Sequence, residues 1–227
     1  MAQELKLGFG YIPRYPVYSN TVIHSGDIYV YEDYLQGGPG LMPAIEYKWI
    51  INNRFSLATG LQYHWTGITI GIASNYAPSP YPQNNNLNLS EKGTSVGVRN
   101  FEIPFTVRYV LMKYKGMKLN LLGGIAPVIT AKSAYHYDKV PDGETWSEEK
   151  VAALNAAITI PKKSYTNYFY GVSLDYHRFE LAYISVRNID SSLSDGYVLY
   201  GETYPFKRKY KSNRIALFFT LIKKNDK

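Results

Sequence analysis

The sequence predicts an all-β fold: an eight-stranded antiparallel up-and-down barrel, formed as one domain over residues 1–227, with its apolar surface on the outside. Three observations predict it. Eight segments alternate apolar and polar residues with period two, the pattern of a strand with two unlike faces. The face opposite the apolar one is crowded with Gly, Ala and Ser. The connections alternate strictly between short and long.

The first segment, Glu4 to about Ile12, sets Leu5, Leu7, Phe9 and Tyr11 against Lys6, Gly8 and Gly10. The second, Leu41 to Ile51, opposes Pro43, Ile45, Tyr47, Trp49 and Ile51 to Met42, Ala44, Glu46 and Lys48. In the third, Arg54 to about Trp65, Phe55, Leu57, Leu61, Tyr63 and Trp65 face away from Ser56, Ala58, Gly60, Gln62 and His64. The fourth, about Asn100 to Leu111, places Phe101, Ile103, Phe105, Val107 and Tyr109 against Glu102, Pro104, Thr106 and Arg108. Leu119, Leu121, Ile125 and Ile129 oppose Lys118, Asn120, Gly124 and Ala126 in the fifth, about Met117 to Thr130. The sixth sets Tyr168, Tyr170, Val172, Leu174 and Tyr176 against Gly171, Ser173, Asp175 and His177. The seventh sets Phe179, Leu181 and Tyr183 against Glu180 and Ala182, then turns apolar on its inner face at Ile184 and Val186. The eighth has Ile215, Leu217, Phe219 and Leu221 against Ala216, Phe218 and Thr220.

A soluble sandwich turns its apolar face inward and its large charged side chains out. Here the face opposite the apolar rows is built of small residues, as a narrow closed lumen requires. The apolar rows are then left to face hydrocarbon, and the barrel is a transmembrane one. Short turns fall at Asn52-Asn53, at Tyr114-Lys115-Gly116 and at His177-Arg178. Long connections cover about 13–39, 66–99, 131–166 and 187–212. Outer-membrane barrels show this asymmetry, with tight periplasmic turns and long extracellular loops. The expectation is a bacterial outer-membrane location with both termini periplasmic. Aromatic residues agree: Trp49, Phe55, Tyr109, Tyr176 and Phe179 gather at the short-turn end, and Tyr63, Trp65, Phe101, Tyr168 and Tyr170 towards the other. Two such girdles flank the apolar band of a membrane barrel.

Within the loops, Tyr76 to Pro82 and Asn84-Asn85-Asn86 are coil formers. Thr145-Trp146-Ser147-Glu148 is a capping box that predicts a short helix. Asp27 to Tyr31 and Tyr197 to Tyr200 are expected to extend the sheet beyond the membrane.

Composition narrows function. Tyr (23) outnumbers Leu (19), a bias suited to pleated surfaces and membrane–water boundaries. There is no cysteine, so disulfides and thiolate metal sites are excluded, and no cofactor or metal site is predicted. The net charge of +7 gathers at Lys207, Arg208, Lys209 and Lys211 and in the tail Lys223, Lys224 and Lys227. No basic recognition helix accompanies it, which favours outer-membrane lipid and lipopolysaccharide headgroups over nucleic acid as partners. No run approaches the roughly 18 apolar residues of a spanning helix. Met1-Ala2-Gln3-Glu4 leads straight into a strand pattern, as in a mature secreted chain with an added initiator Met.

Four strand stretches carry a family resemblance: Phe55 to Tyr63, Phe101-Glu102-Ile103-Pro104-Phe105-Thr106-Val107-Arg108-Tyr109, Leu121 to Pro127, and Arg178 to Tyr183. With these the sequence resembles the PorT-like outer-membrane β-barrel families of Bacteroidota, whose architecture is that of small OmpA- and OmpX-type barrels. The Glu-Ile-Pro strand is the most specific piece. The resemblance covers most strands and no loops, and it implies integral outer-membrane residence. It departs at the end, where a polar tail follows Phe219-Thr220-Leu221-Ile222.

Among inward charges Glu46, Lys48, Glu102, Arg108, Lys118, Asp175 and Glu180, a lumen network of Glu46, Glu102, Arg108 and Glu180 is expected, because buried charges must pair. Tyr76, Tyr81, Tyr135, Tyr137, Trp146, Tyr197, Tyr200 and Tyr204 form a candidate loop binding surface for a partner protein or surface glycan, since Tyr gives large contact area with few torsions to freeze, packing of these rings on one another being the equal alternative. No catalytic residue is assigned. His64 with Ser56 and Glu102 is the nearest thing to a hydrolytic constellation, and no G-x-S-x-G or HExxH motif supports it. The expected role is structural or accessory, as a surface component of a larger outer-membrane complex. A secretion accessory of the PorT-like kind is the first alternative and a lipid A-modifying enzyme the second.

Overall fold

The computed structural model describes residues 2–13, 17–18, 23–25, 28–32, 40–74, 92–137, 162–190, 196–199, 202–205 and 209–224. Within 17–32, 66–97, 132–137 and 196–210 it is the backbone that is described. The strands are β1 (Ala2–Ile12), β2 (Val17–Tyr18), β3 (Ile23–Ser25), β4 (Ile28–Glu32), β5 (Gly40–Ile50), β6 (Phe55–Ser74) and β7 (Lys92–Glu102). They continue as β8 (Phe105–Tyr114), β9 (Met117–Tyr137), β10 (Ser164–Tyr176), β11 (Phe179–Asn188), β12 (Gly196–Leu199), β13 (Glu202–Pro205) and β14 (Lys209–Lys224).

Following the ladders from β1 leads through β5, β6, the collinear pair β7 and β8, β9, β10, β11 and β14, and back to β1. Every pairing is antiparallel. The barrel therefore closes with eight staves, and closure leaves no edge. Short turns sit where the sequence places them. At the first, Asn52 Oδ1 accepts from the backbone N–H groups of Arg54 and Phe55, both at 2.8 Å. At the second, Gly116 has φ +83°, a conformation that glycine adopts without steric cost.

Alternation decides what faces where. In β5, Leu41, Pro43 and Ile45 are exposed while Met42, Ala44, Glu46 and Lys48 are buried. The apolar rows of all eight staves point out: Phe9 is 54% exposed, Phe105 51%, Leu217 50% and Trp65 59%. Among the described residues the lumen holds two small apolar clusters, Ile12, Met42, Ala44, Ala216 and Phe218 on one wall, and Leu122, Ala126, Phe169, Ala182 and Val186 with Ile184 on another. Small residues make the room: a Cβ on Gly8 would strike the Phe218 ring.

Three expectations need correction. The third and fifth segments do not stop at Trp65 and Thr130: β6 runs to Ser74 and β9 to Tyr137, and β7 starts at Lys92 rather than at Asn100. Ile68-Thr69-Ile70-Gly71-Ile72 is rich in β-branched residues, and such chain stays extended once ladder partners are available. The fourth segment is not continuous, being broken at Ile103-Pro104. Register is kept across the break, with Gln62 opposite Glu102 and Thr59 opposite Phe105, which sets Pro104 against Gly60. Ile103 donates to Pro127 O on β9 at 2.9 Å, so residue 104 would donate towards β6, and a proline has no N–H to give. Finally, the described part of the Tyr197 to Tyr200 stretch, 197–199, does not join the barrel sheet: β12 pairs with β13 as a separate hairpin. The 28–31 stretch does extend it, as β4 pairs with β6 and β3 with β4. The expected helix near Thr145, and Asn84 to Asn86, lie outside the described residues.

Candidate functional site

Inward parity and stave height together place the lumen charges in layers. Nearest the short-turn end, Lys48 Nζ lies 3.3 Å from Asp175 and 3.8 Å from Glu4, while Lys6 Nζ lies 3.5 Å from the same Glu4. Above them Arg108 bridges two staves: Nη2 donates to Glu46 Oε2 at 2.7 Å and Nε to Glu180 Oε1 at 3.1 Å. Lys6 Nζ donates to the other oxygen of Glu180 at 2.5 Å. Higher still, Arg214 Nη1 donates to Glu102 Oε2 at 2.8 Å and to Gln62 Oε1 at 3.5 Å. His64 Nε2 is 3.4 Å from Glu102 Oε2, outside hydrogen-bond alignment. Glu102 and Glu180 are each 1% exposed and Arg108 3%. Charges so far from water persist because each ion has an opposite partner within bonding distance.

The structure thus brings Glu46, Arg108 and Glu180 together, and it gives Glu102 a different cation, Arg214. Period-two reading finds which face a residue takes but not its height in the tube, and Arg214 stands one residue before the eighth segment as read. Alternation also puts Lys6 on the inner face, yet its partner Glu180 is 174 positions away. His64 and Glu102 are neighbours, whereas Ser56 lies eight residues down β6 from His64, opposite Arg108, so the trio with Ser56 does not assemble.

Between the two arginine layers lies a cavity of about 20 Å³, on a scale where ~10–15 Å³ holds one water molecule. Glu46, Arg108, Glu102, Arg214 and Gln62 supply its polar wall, and Phe169, Leu122 and Phe218 its apolar wall. Near the long-connection end, Asn188 donates to Asn167 at 3.2 Å and Thr130 to Asn100 at 3.3 Å. No group of three or more metal-ligating side chains occurs among the described residues. Chemically, the arrangement fills the tube with paired ions, and the cavity between the arginine layers accommodates water rather than a solute.

Outside, aromatic pairs mark both ends of the belt. Phe55 packs on Tyr109 (centroids 5.0 Å apart) and Phe179 on Phe219 (5.2 Å) near the short turns, and Tyr63 on Phe101 (5.3 Å) near the other end. Tyr47 donates to Gln3 at 2.5 Å and meets Trp49 edge-on. Of the expected loop surface, Tyr76, Tyr81, Trp146 and Tyr200 lie outside the described residues. Tyr135 and Tyr137 belong to β9 rather than to a loop, because the ladder with β7 continues past the belt. Tyr197 and Tyr204 stand directly opposite each other on β12 and β13.

Among solved structures the chain is similar to Ail, the attachment invasion locus protein of Yersinia pestis, at 9% identity over 97% of this chain and 98% of that one, with a TM-score of 0.36. It is similar to LpxR from Salmonella typhimurium at 8% identity over 94% and 99%, TM-score 0.33. A third is the translocator domain of the autotransporter NalP from Neisseria meningitidis, at 8% identity over 95% and 88%, TM-score 0.28. No family model and no curated protein matches the chain.

Proposed function

We propose that this chain is an integral bacterial outer-membrane barrel with a structural or accessory role, a surface-exposed component of a larger outer-membrane complex. One observation carries the reading: the exposed side is a continuous apolar belt between two aromatic girdles, while the ions are inside and paired. In water that distribution would leave many large apolar side chains solvated; in a bilayer each face meets the medium it suits. Short turns at one end and long connections at the other favour a periplasmic short-turn end. The ion-filled lumen favours a scaffold over a conduit. Assignment to the PorT-like branch, with a secretion-accessory role, is the narrower form of the same proposal and rests on the strand stretches quoted above.

The test is insertion. Refolded from urea into phosphatidylcholine vesicles, the barrel should float with the lipid, resist carbonate extraction and migrate as a compact species on unheated gels. A monomeric, detergent-free species in plain buffer would refute the proposal.

A further inference from the structure

The short-turn end carries six exposed cations: Arg54, Lys113, Lys115, Arg178, Lys223 and Lys224. Among the described residues it shows no exposed carboxylate: Asp175 turns into the lumen to meet Lys48, and the buried Glu4 lies between Lys48 and Lys223, whose Nζ is 3.7 Å from Glu4 Oε1. The cations occupy all four sectors of the rim, namely the turns joining β5 to β6, β8 to β9 and β10 to β11, and the seam where β14 ends beside β1.

Height is fixed as well as charge. The turns are too short to lift a side chain away from the belt, and in each sector a cation adjoins an exposed apolar residue. Arg54 precedes Phe55, Lys115 follows Tyr114, Arg178 precedes Phe179 and Lys223 follows Ile222. Two cations also touch the aromatic girdle: Arg54 Nη1 donates to Tyr109 Oη at 3.3 Å, and Lys115 Nζ lies 5.2 Å from the Tyr114 ring centre. A cation whose stem lies along apolar surface and whose head sits just beyond an aromatic belt is at the level of lipid phosphates. We infer that this rim is a docking collar for the anionic headgroups of phospholipids in the leaflet at the short-turn end. The inference rests on the membrane reading above and adds the lipid class and the residues that select it.

Trp49, on β5 beside the first turn, is a reporter for this end, and Trp65 for the other. In a Trp65→Phe/Trp146→Phe barrel held in phosphatidylcholine, trace brominated phosphatidylglycerol should quench Trp49 as though enriched about fivefold or more over trace brominated phosphatidylcholine, roughly the worth of one surface cation. Replacing all six collar cations by Gln should bring that ratio close to one, while a Trp49→Phe/Trp146→Phe barrel carrying the same six substitutions keeps its Trp65 ratio. Equal quenching by the two lipids in the unsubstituted collar, or a preference that survives the sixfold change, overturns the inference. So does charge-dependent retention on peptidoglycan without any lipid preference. Absence of quenching by either lipid would instead overturn the membrane reading.

Discussion

Arg108 holds two carboxylates from different staves, and its removal shows how far the lumen depends on pairing. Arg108→Leu leaves Glu46 without its cation and Glu180 with Lys6 alone. Stripping one partner from a buried ion pair costs about 3–5 kcal/mol, whereas exchanging the whole set for apolar residues of like volume is often neutral. The single variant should unfold at markedly lower urea in detergent micelles, and Arg108→Leu/Glu46→Leu should recover part of the loss. An unchanged midpoint for Arg108→Leu would show that these contacts contribute nothing. The inward orientation of Glu46, Arg108 and Glu180 was legible because parity along a strand fixes the face. The Glu102–Arg214 pair was not: it depends on stave height, which the shear of the closed tube sets and no local pattern records.

At the scale of the hairpin, the Asn52 turn has a testable share in stability. Its side-chain oxygen satisfies two backbone donors at once, the local bonding that suits Asn to turns. Asn52→Ala should cost about 1 kcal/mol, and Asn52→Asp, which keeps the acceptor, much less. Equal losses for the two variants in denaturant titrations would rule out the hydrogen bonds as the cause. The eight staves and their three tight turns could be read from the sequence, since burying one face imposes alternation. The overrun of β6, β7 and β9 could not, because beyond the belt backbone pairing continues without an apolar band to dictate side-chain type. Nor could the interruption at Pro104, since alternation of side chains passes through it unbroken.

For the molecule as a whole the decisive contact is the seam between β1 and β14, where the first strand meets the last. Leu7 lies directly opposite Phe219 there, and directly opposed residues have Cα atoms about 4.5–5.5 Å apart, within the span of a disulfide. The chain has no cysteine of its own. Leu7→Cys/Phe219→Cys should therefore crosslink readily in the inserted barrel and not in urea. Phe9→Cys/Phe219→Cys, offset by two residues, should react far more slowly. Comparable rates for the two pairs would show that the seam has another register.

Pro104 leaves one further mark. The carbonyl of Gly60 faces a position that can offer it no donor, at mid-height in the wall. In hydrocarbon such a group has no solvent to turn to, so the cylinder is weakly stitched at this point. If tension or heat opens the tube sideways, the parting should begin between the third and fourth staves, and the joint between chain ends, laddered from Gln3 to Tyr11 with one bulge, should be the later one to yield.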